Sequence, residues 1–275
     1  MNFYKAYQIG EFMDLFFTID VEPDINTGKY KGVKEGIPWL LEFLNQEKIR
    51  ATFFIVGETL EANKEIIKKI KKSGHEVGVH GHTHKRFDAL SFKEKDEELK
   101  KSIYAHKKFL NSKPYGFRAP QHSIDEDTFV LLNKYGFKYD SSVCSGNIML
   151  LRHLFKKNKK AAQILRVFLG RIGPHNQKGV KEISRPALLL ALGGFELKVY
   201  PRWVIELIFK IHLALNITVN FVIHSWDLID TPRSRTSKIC SADEFKKRLS
   251  WFVKMAKNKA KFETIGQKNE GIRIN

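Results

Sequence analysis

The sequence predicts an α/β fold: a parallel sheet wrapped by helices, with enough units to curl into a barrel. Short β-branched and aromatic runs alternate with longer segments whose apolar residues recur at helical spacing, and the polar residues capable of chemistry gather where the apolar runs stop. Alternation of this kind marks βαβ units, because each parallel strand needs a crossover that covers the sheet. With 275 residues, 43% of them hydrophobic, the chain can fill one large core.

The elements follow in order. Residues 15–19 form an apolar run ending in acids and Pro23, which suits a buried strand whose tip opens into a loop. Ile37, Leu40, Leu41 and Leu44 give residues 37–45 a helical stripe, and residues 51–56 then read as a strand before Gly57. A lysine-rich helix over 59–72 stops at Ser73 and Gly74, followed by a strand over 75–79 and a helix over 93–110. Further strands are predicted at 115–117, 138–139 and 218–223, giving about seven units, with chemistry expected at the carboxyl ends of the strands. The apolar stretch 203–223 carries Glu206 and Lys210, each costing roughly 2.5–3.5 kcal/mol at a bilayer centre, so it reads as a buried helix followed by a strand. The whole of 1–275 is expected to be a single domain with a basic insertion at about 145–185.

Charge narrows the choice of partner. Forty-eight Lys and Arg against 30 Asp and Glu leave +18, which favours an anionic partner or surface. The basic residues are not interleaved with aromatics in any nucleic-acid-binding module, so nucleic acid is not the expected partner. Residues 150–185 hold ten Lys or Arg and one acid, Glu182, so +9 of the surplus lies there. Leu154, Phe155, Ile164, Leu165, Val167, Phe168 and Leu169 among those lysines suit a basic amphipathic helix on an anionic membrane surface, with a solvated basic flap as the alternative. Cys144 and Cys240 are too few for a disulfide framework or a thiolate zinc site. Glu11 and Asp14 interrupt the first apolar stretch, so the expected location is cytoplasmic, peripheral on the cytoplasmic face of the membrane.

Four motifs can carry chemistry. In FFTIDVEPD, Asp20 and Glu22 are two apart at a strand end, so both carboxylates can face one side, with Asp24 just beyond. Two such anions raise each other's pKa unless a cation stands beside them. GHEVGVHGHTH carries His75, His80, His82 and His84, and the four-residue spacing of His80 and His84 suits two imidazoles on one side of a helical turn. Two imidazoles with one of the nearby carboxylates make a ligand set for Zn²⁺ or another divalent transition ion. His75 lies within the predicted strand and is expected to be a packed histidine. In GFRAPQHS, Arg118 follows a short strand with Pro120 fixing the backbone behind it, and its guanidinium can hold a carboxylate. VNFVIHSWDL ends a strand with His224 beside Trp226 and Asp227.

In order and approximate spacing these motifs resemble the polysaccharide deacetylase family, carbohydrate esterase family 4, clearly over residues 15–140 and loosely over 182–230. The resemblance implies a distorted (β/α)7-8 barrel of the glycoside hydrolase and deacetylase type. It also implies metal-dependent removal of an N-acetyl group from an amino sugar in a polysaccharide, oligosaccharide or lipid-linked sugar of the cell envelope. Where the family's first motif usually holds a metal-binding Asp, this chain has Val21, so it is similar to the D-V-E branch, which implies Asp20 as base and Glu22, His80 and His84 as ligands. Zn²⁺ is the implied ion, with Co²⁺ or Ni²⁺ as alternatives. His224 matches the general acid and Asp140, in KYDSS, its carboxylate partner; Arg118 matches the residue that orients the base. Pro120, Gln121 and Trp226 are the implied substrate wall. The alternatives are a hydrolase of another linear or cyclic amide and a glycan-binding barrel without chemistry.

Overall fold

The computed structural model describes residues 12–145, 175–186, 191–232 and 235–270. The amphipathic pattern from Leu154 to Leu169, and with it most of the expected insertion, lies outside the described residues. The first strand, β1 (Met13–Val21), is buried along its length and sorts its side chains by alternation. Leu15, Phe17, Ile19 and Val21 join the large core against the helices, while Phe16 joins a smaller cluster inside the sheet's curve with Phe54, Tyr139 and Ile183. Thr18 and Asp20 follow the Phe16 side, so the strand that anchors the core also delivers a carboxylate to the interior.

Around β1 the sheet is assembled from β2 (Thr52–Ile55), β3 (Glu76–Val79), β4 (Gly116–Phe117), β5 (Tyr139–Asp140), β6 (Cys144–Ser145), β7 (His175–Gln177), β8 (Val180–Glu182), β9 (Arg185–Pro186), β10 (Val219–His224) and β11 (Ala260–Glu263). The strand order is β10-β1-β2-β3-β4-β5-β8-β7, with β11 also paired to β1 and β6 paired separately with β9. All pairings in the main sheet are parallel except the β7–β8 hairpin. The path ends at β10 and β7, so among the described residues the barrel is curled but does not close as its seven units allowed. One long strand serves three partners: β11 pairs with Met13–Phe16, β2 with Thr18–Val21, and β10 sits on the other side with His224 opposite Asp20.

Besides two short helices, Arg235–Ile239 and Ile265–Glu270, the described α-helices are α1 (Ile37–Gln46), α2 (Gly57–Ala62), α3 (Lys64–Lys72), α4 (Phe92–Leu110), α5 (Glu126–Lys134), α6 (Gly194–Val199), α7 (Arg202–Leu215) and α8 (Ala242–Lys257). The single helix expected over 59–72 is two, broken at Asn63, whose backbone leaves the helical region and whose side-chain amide donates to Thr59 O. α4 begins with a Ser91 and Glu94 capping box and ends at Asn111 in the left-handed conformation, matching its predicted span. α8, absent from the sequence reading, packs Phe252 face to face on Phe221 at 4.5 Å and so backs the strand that carries His224.

His75 is a core residue, as expected: it is buried, its Nδ1 accepts from Ala51 N at 3.3 Å, and its ring tilts against Phe53. Burial lowers His75 and His106 from the usual 6.5 to about 4. The folded state therefore binds fewer protons than the unfolded chain as pH falls from 6.5 toward 4, and each neutral imidazole contributes stability that is lost across that window. In urea unfolding, His106→Leu should gain on the wild type by up to about 1.4 kcal/mol per pH unit there. A stability difference independent of pH would refute the assignment.

Candidate active site

The site is built at the carboxyl ends of β1, β3, β4 and β10. Arg118, in the segment after β4, is fully buried, and all five of its N–H groups are used. Its Nη1 donates to Asp20 Oδ1 at 2.7 Å and Thr18 Oγ1 at 3.0 Å, its Nη2 to Ser141 Oγ at 3.0 Å and Asn220 Oδ1 at 3.3 Å, and its Nε to Ser141 O at 3.0 Å. The guanidinium plane lies 4.2 Å from the centre of the Phe54 ring. Burial alone would raise the Asp20 carboxyl, but Arg118, then His80 and His224, hold it below the usual carboxylate value.

Glu22 sits on the same side as Asp20, as strand alternation predicts. Its Oε2 is 3.3 Å from His80 Nε2 and 2.6 Å from His84 Nε2. One donor atom from each of the three residues lies within 4.8 Å of the others, and among the described residues this is the one cluster suited to a metal ion. His84 Nε2 is buried and, despite that short approach, makes no hydrogen bond of normal geometry. Donors held about 2.0–2.2 Å from a shared ion stand roughly 3.3 Å apart in a tetrahedral shell, so the trio fits a divalent cation. His80 is oriented for it from behind, with Nδ1 2.8 Å from Arg118 O, which leaves Nε2 for the ion. Burial opposes ionisation of Glu22, yet the two imidazoles hold it well below the usual range and Glu22 in turn raises His84. An arriving cation replaces that proton-mediated attraction.

The histidines do not converge on a helical turn, as their spacing suggested. The segment after β3 is irregular, with Gly81 at φ +70° and His84 at φ +60°. Gly81 is needed there: a Cβ would approach both Phe87 Cε2 and Pro120 Cγ to 3.2 Å in a backbone conformation that L side chains rarely adopt. His82 faces away, its backbone N–H donating to Glu98 Oε2 at 2.8 Å. Asp24 is not a ligand either, since its carboxylate accepts from Lys31 N at 2.6 Å and Gly32 N at 2.9 Å.

On the far side of Asp20, His224 turns Nε2 toward Asp20 Oδ2 at 3.9 Å and Nδ1 toward Asp227 Oδ2 at 3.4 Å. This corrects the expected partner. Asp140 is buried on β5 opposite Glu182, where its two oxygens accept from Ser142 Oγ and Ser142 N at 2.6 and 2.8 Å. Asp227 follows three residues after His224 at the start of a turn, accepts from His224 N at 2.8 Å, and is paired with the buried Lys198 at 2.7 Å. The WD of HSWDL was the signal for Asp227; nothing in the sequence pointed to Lys198. Burial works against the imidazolium, but Asp227, Glu22 and Asp20 push His224 up to about 9.

The expected substrate wall is partly corrected. Pro120 is buried against the Gly81 turn and faces the loop rather than an open groove, whereas Gln121 is exposed at φ 53°. Trp226 is half-buried, stacks on His224 with centroids 4.4 Å apart, and donates from Nε1 to Glu22 Oε1 at 2.8 Å. It orients both the metal-site carboxylate and the histidine. Ser141, Asn220 and Thr18, which complete the arginine's shell, carried no signal in the sequence because their role exists only once distant strand ends meet.

Replacing Glu22 by Gln should cut bound divalent metal at least tenfold by elemental analysis, whereas Asp24→Asn should retain it and lower only thermal stability. Metal retained in the first variant, or lost in the second, would move the ligand assignment to Asp24.

Comparison with known proteins agrees with this geometry. The polysaccharide deacetylase family profile matches residues 15–139. A peptidoglycan deacetylase of Helicobacter pylori is 37% identical over 124 residues, covering 45% of this chain and 42% of that protein. A peptidoglycan-N-acetylglucosamine deacetylase of Bacillus cereus is 32% identical over 104 residues, covering 37% of this chain and 47% of that one. The chain thus spans less than half the length of these relatives. In fold, a crystal structure from Mycobacterium smegmatis, provisionally named a polysaccharide deacetylase, superposes with a TM-score of 0.67 at 18% identity over 98% of this chain and 92% of that one. The matched segment runs from β1 to β5 and holds His80, His84, Asp20, Glu22 and Arg118, so over residues 15–139 the chain is similar to the polysaccharide deacetylase family.

Proposed function

We propose that the chain is a metal-dependent hydrolase that removes the N-acetyl group from an amino sugar of a glycan. The observation that carries this reading is the convergence of Glu22, His80 and His84 on one point, with the buried Asp20 carboxylate on one side and the half-buried His224 imidazole on the other. Two relatives whose names specify peptidoglycan deacetylation support the substrate class. Zn²⁺ suits a site of two imidazoles and one carboxylate with open positions, and Co²⁺ or Ni²⁺ can occupy the same ligands.

When bound, such a cation would polarise an acetyl carbonyl and acidify a neighbouring water. The remaining work belongs to the chain. Asp20, held by Arg118 and ionised at neutral pH, takes the proton of the attacking water. His224, charged at neutral pH, donates from Nε2 to the departing amine, which leaves poorly as an anion. Asp227 and Lys198 fix which ring nitrogen faces the site. Trp226 and the exposed Gln121 flank the space where the sugar would lie. Val21, which stands where the family usually has its metal-binding Asp, is buried in the core, and Glu22 supplies the carboxylate from the next residue.

Assayed on N-acetylglucosamine oligomers, Asp20→Asn should lose roughly 10²–10⁴-fold in turnover while keeping its metal. Activity retained in that variant would refute the base, and wild-type activity confined to small cyclic amides would refute the substrate class. Activity should rise with pH as Asp20 ionises and fall as His224 loses its proton, at or below about 9, because a cation nearby disfavours the imidazolium. Asp227→Asn removes a carboxylate that raises His224 and should shift the alkaline limb downward with the acidic limb unmoved; an unshifted alkaline limb would exclude Asp227 as the tuning residue.

A further inference from the structure

Helix α7 has two apolar faces. One holds Ile205, Ile208, Phe209 and His212 against the core, as any covering helix must. The other is open: Trp203 is 67% exposed, and Leu207, Leu215, the neighbouring Phe195 of α6 and Ile239 are each more than half exposed. At 100° per residue Trp203, Leu207 and Ala214 fall within about 40° of one another, on an arc they share with the exposed Lys210. Together these side chains offer on the order of 500 Å² of apolar surface, at the upper end of what a monomer leaves to water.

Along α6 and α7 the fully exposed charges have one sign, while beyond Ile239 the exposed Asp243 is acidic. Arg202, Lys210 and Lys238 are exposed beside it, whereas from Gly194 to Asn216 the two carboxylates, Glu196 and Glu206, are buried or half-buried. Trp203 and Leu207 on one arc of α7, with exposed Arg202 and Lys210 and no fully exposed acid on that helix, suit a helix that lies in the plane of a lipid interface. The net charge of +18 adds long-range attraction to anionic headgroups. No described helix is long and apolar enough to cross a membrane. The face also begins beside the catalytic rim: Gly194, which precedes Phe195, lies so close to Asp227 that a Cβ would come within 2.5 Å of its Oδ2.

We infer that the exposed face of α7, with Phe195 and Ile239, seats the protein on an anionic lipid bilayer and holds the catalytic rim near the membrane surface. The inference does not depend on the deacetylase reading, because binding is measured without turnover. The full chain should co-sediment with vesicles of phosphatidylcholine mixed with phosphatidylglycerol at least tenfold more tightly than with phosphatidylcholine alone. The double variant Trp203→Ser and Leu207→Ser should lose at least tenfold of that affinity at unchanged thermal stability, since both side chains are solvent-exposed. A companion variant, Lys69→Glu and Lys72→Glu on α3, tests simple charge attraction and should bind nearly as wild type. Absence of binding by the wild type, equal binding by the Trp203 and Leu207 variant, or loss only in the α3 variant would each overturn the inference. So would sedimentation velocity showing a dimer that the Trp203 and Leu207 variant dissociates, because a second copy would then be the face's partner.

Discussion

A guanidinium and a carboxylate face each other at 2.7 Å in a place that water does not reach, and the geometry of the site hangs from that contact. Taking both charges out of water costs several kcal/mol per ion, and attraction compensates only if every remaining donor is used. Arg118 meets that condition through Asp20, Thr18, Ser141 and Asn220, which arrive from β1, from the segment after β5 and from β10. One side chain therefore ties three parts of the sheet to the segment after β4. A lysine could not replace it, having neither the planar fork nor the face that rests on Phe54. The same residue's carbonyl orients His80, so the ion pair that holds the base also aims a metal ligand.

The second constraint is electrostatic crowding. Asp20 and Glu22 project to one side of a single strand, and each would raise the other if left alone. Their separation is managed by giving each its own partners: Arg118 for Asp20, and the imidazoles His80 and His84 for Glu22. The carboxylates consequently take different duties from nearly the same position, one free to accept a proton and one committed to ligation. Strand alternation explains why a Glu two residues after the base can occupy the ligand position, since the intervening Val21 points into the helix-packed core.

Much of this was legible in the sequence because it depends on local periodicity. The strands at 15–19, 51–56 and 75–79, the helices at 37–45 and 93–110, and the apposition of Asp20 with Glu22 all follow from patterns confined to a few residues. What the sequence hid was non-local or conformational. The four-residue spacing of His80 and His84 suggested a helical turn, but the chain instead reaches the site through left-handed residues at Gly81 and His84, a choice made by Phe87 and Pro120 packing from elsewhere. Asp140, in KYDSS, was the partner of His224 that the family resemblance implied; the register of β5 against β8 sends it to Glu182 and Ser142. Asp227, three residues from His224, needed only a short turn to reach it.

The contrast between those two aspartates decides how the acid side of the site works. Asp140 shares its burial with Glu182, and desolvation raises both carboxyls, so the pair favours a retained proton and cannot stabilise a distant imidazolium. Asp227 is equally buried, but its bond to His224 and the Lys198 ammonium beside it hold it down at about 2. It therefore stays an anion across the neutral range, and His224 gains a fixed negative neighbour. Lys198 touches Asp227 and not His224, yet without it burial would push the Asp227 carboxyl upward, as it does those of Asp140 and Glu182. The charge on the acid is thus set two contacts away from the ring that carries it, by an ammonium on α6 that no local sequence pattern could have announced.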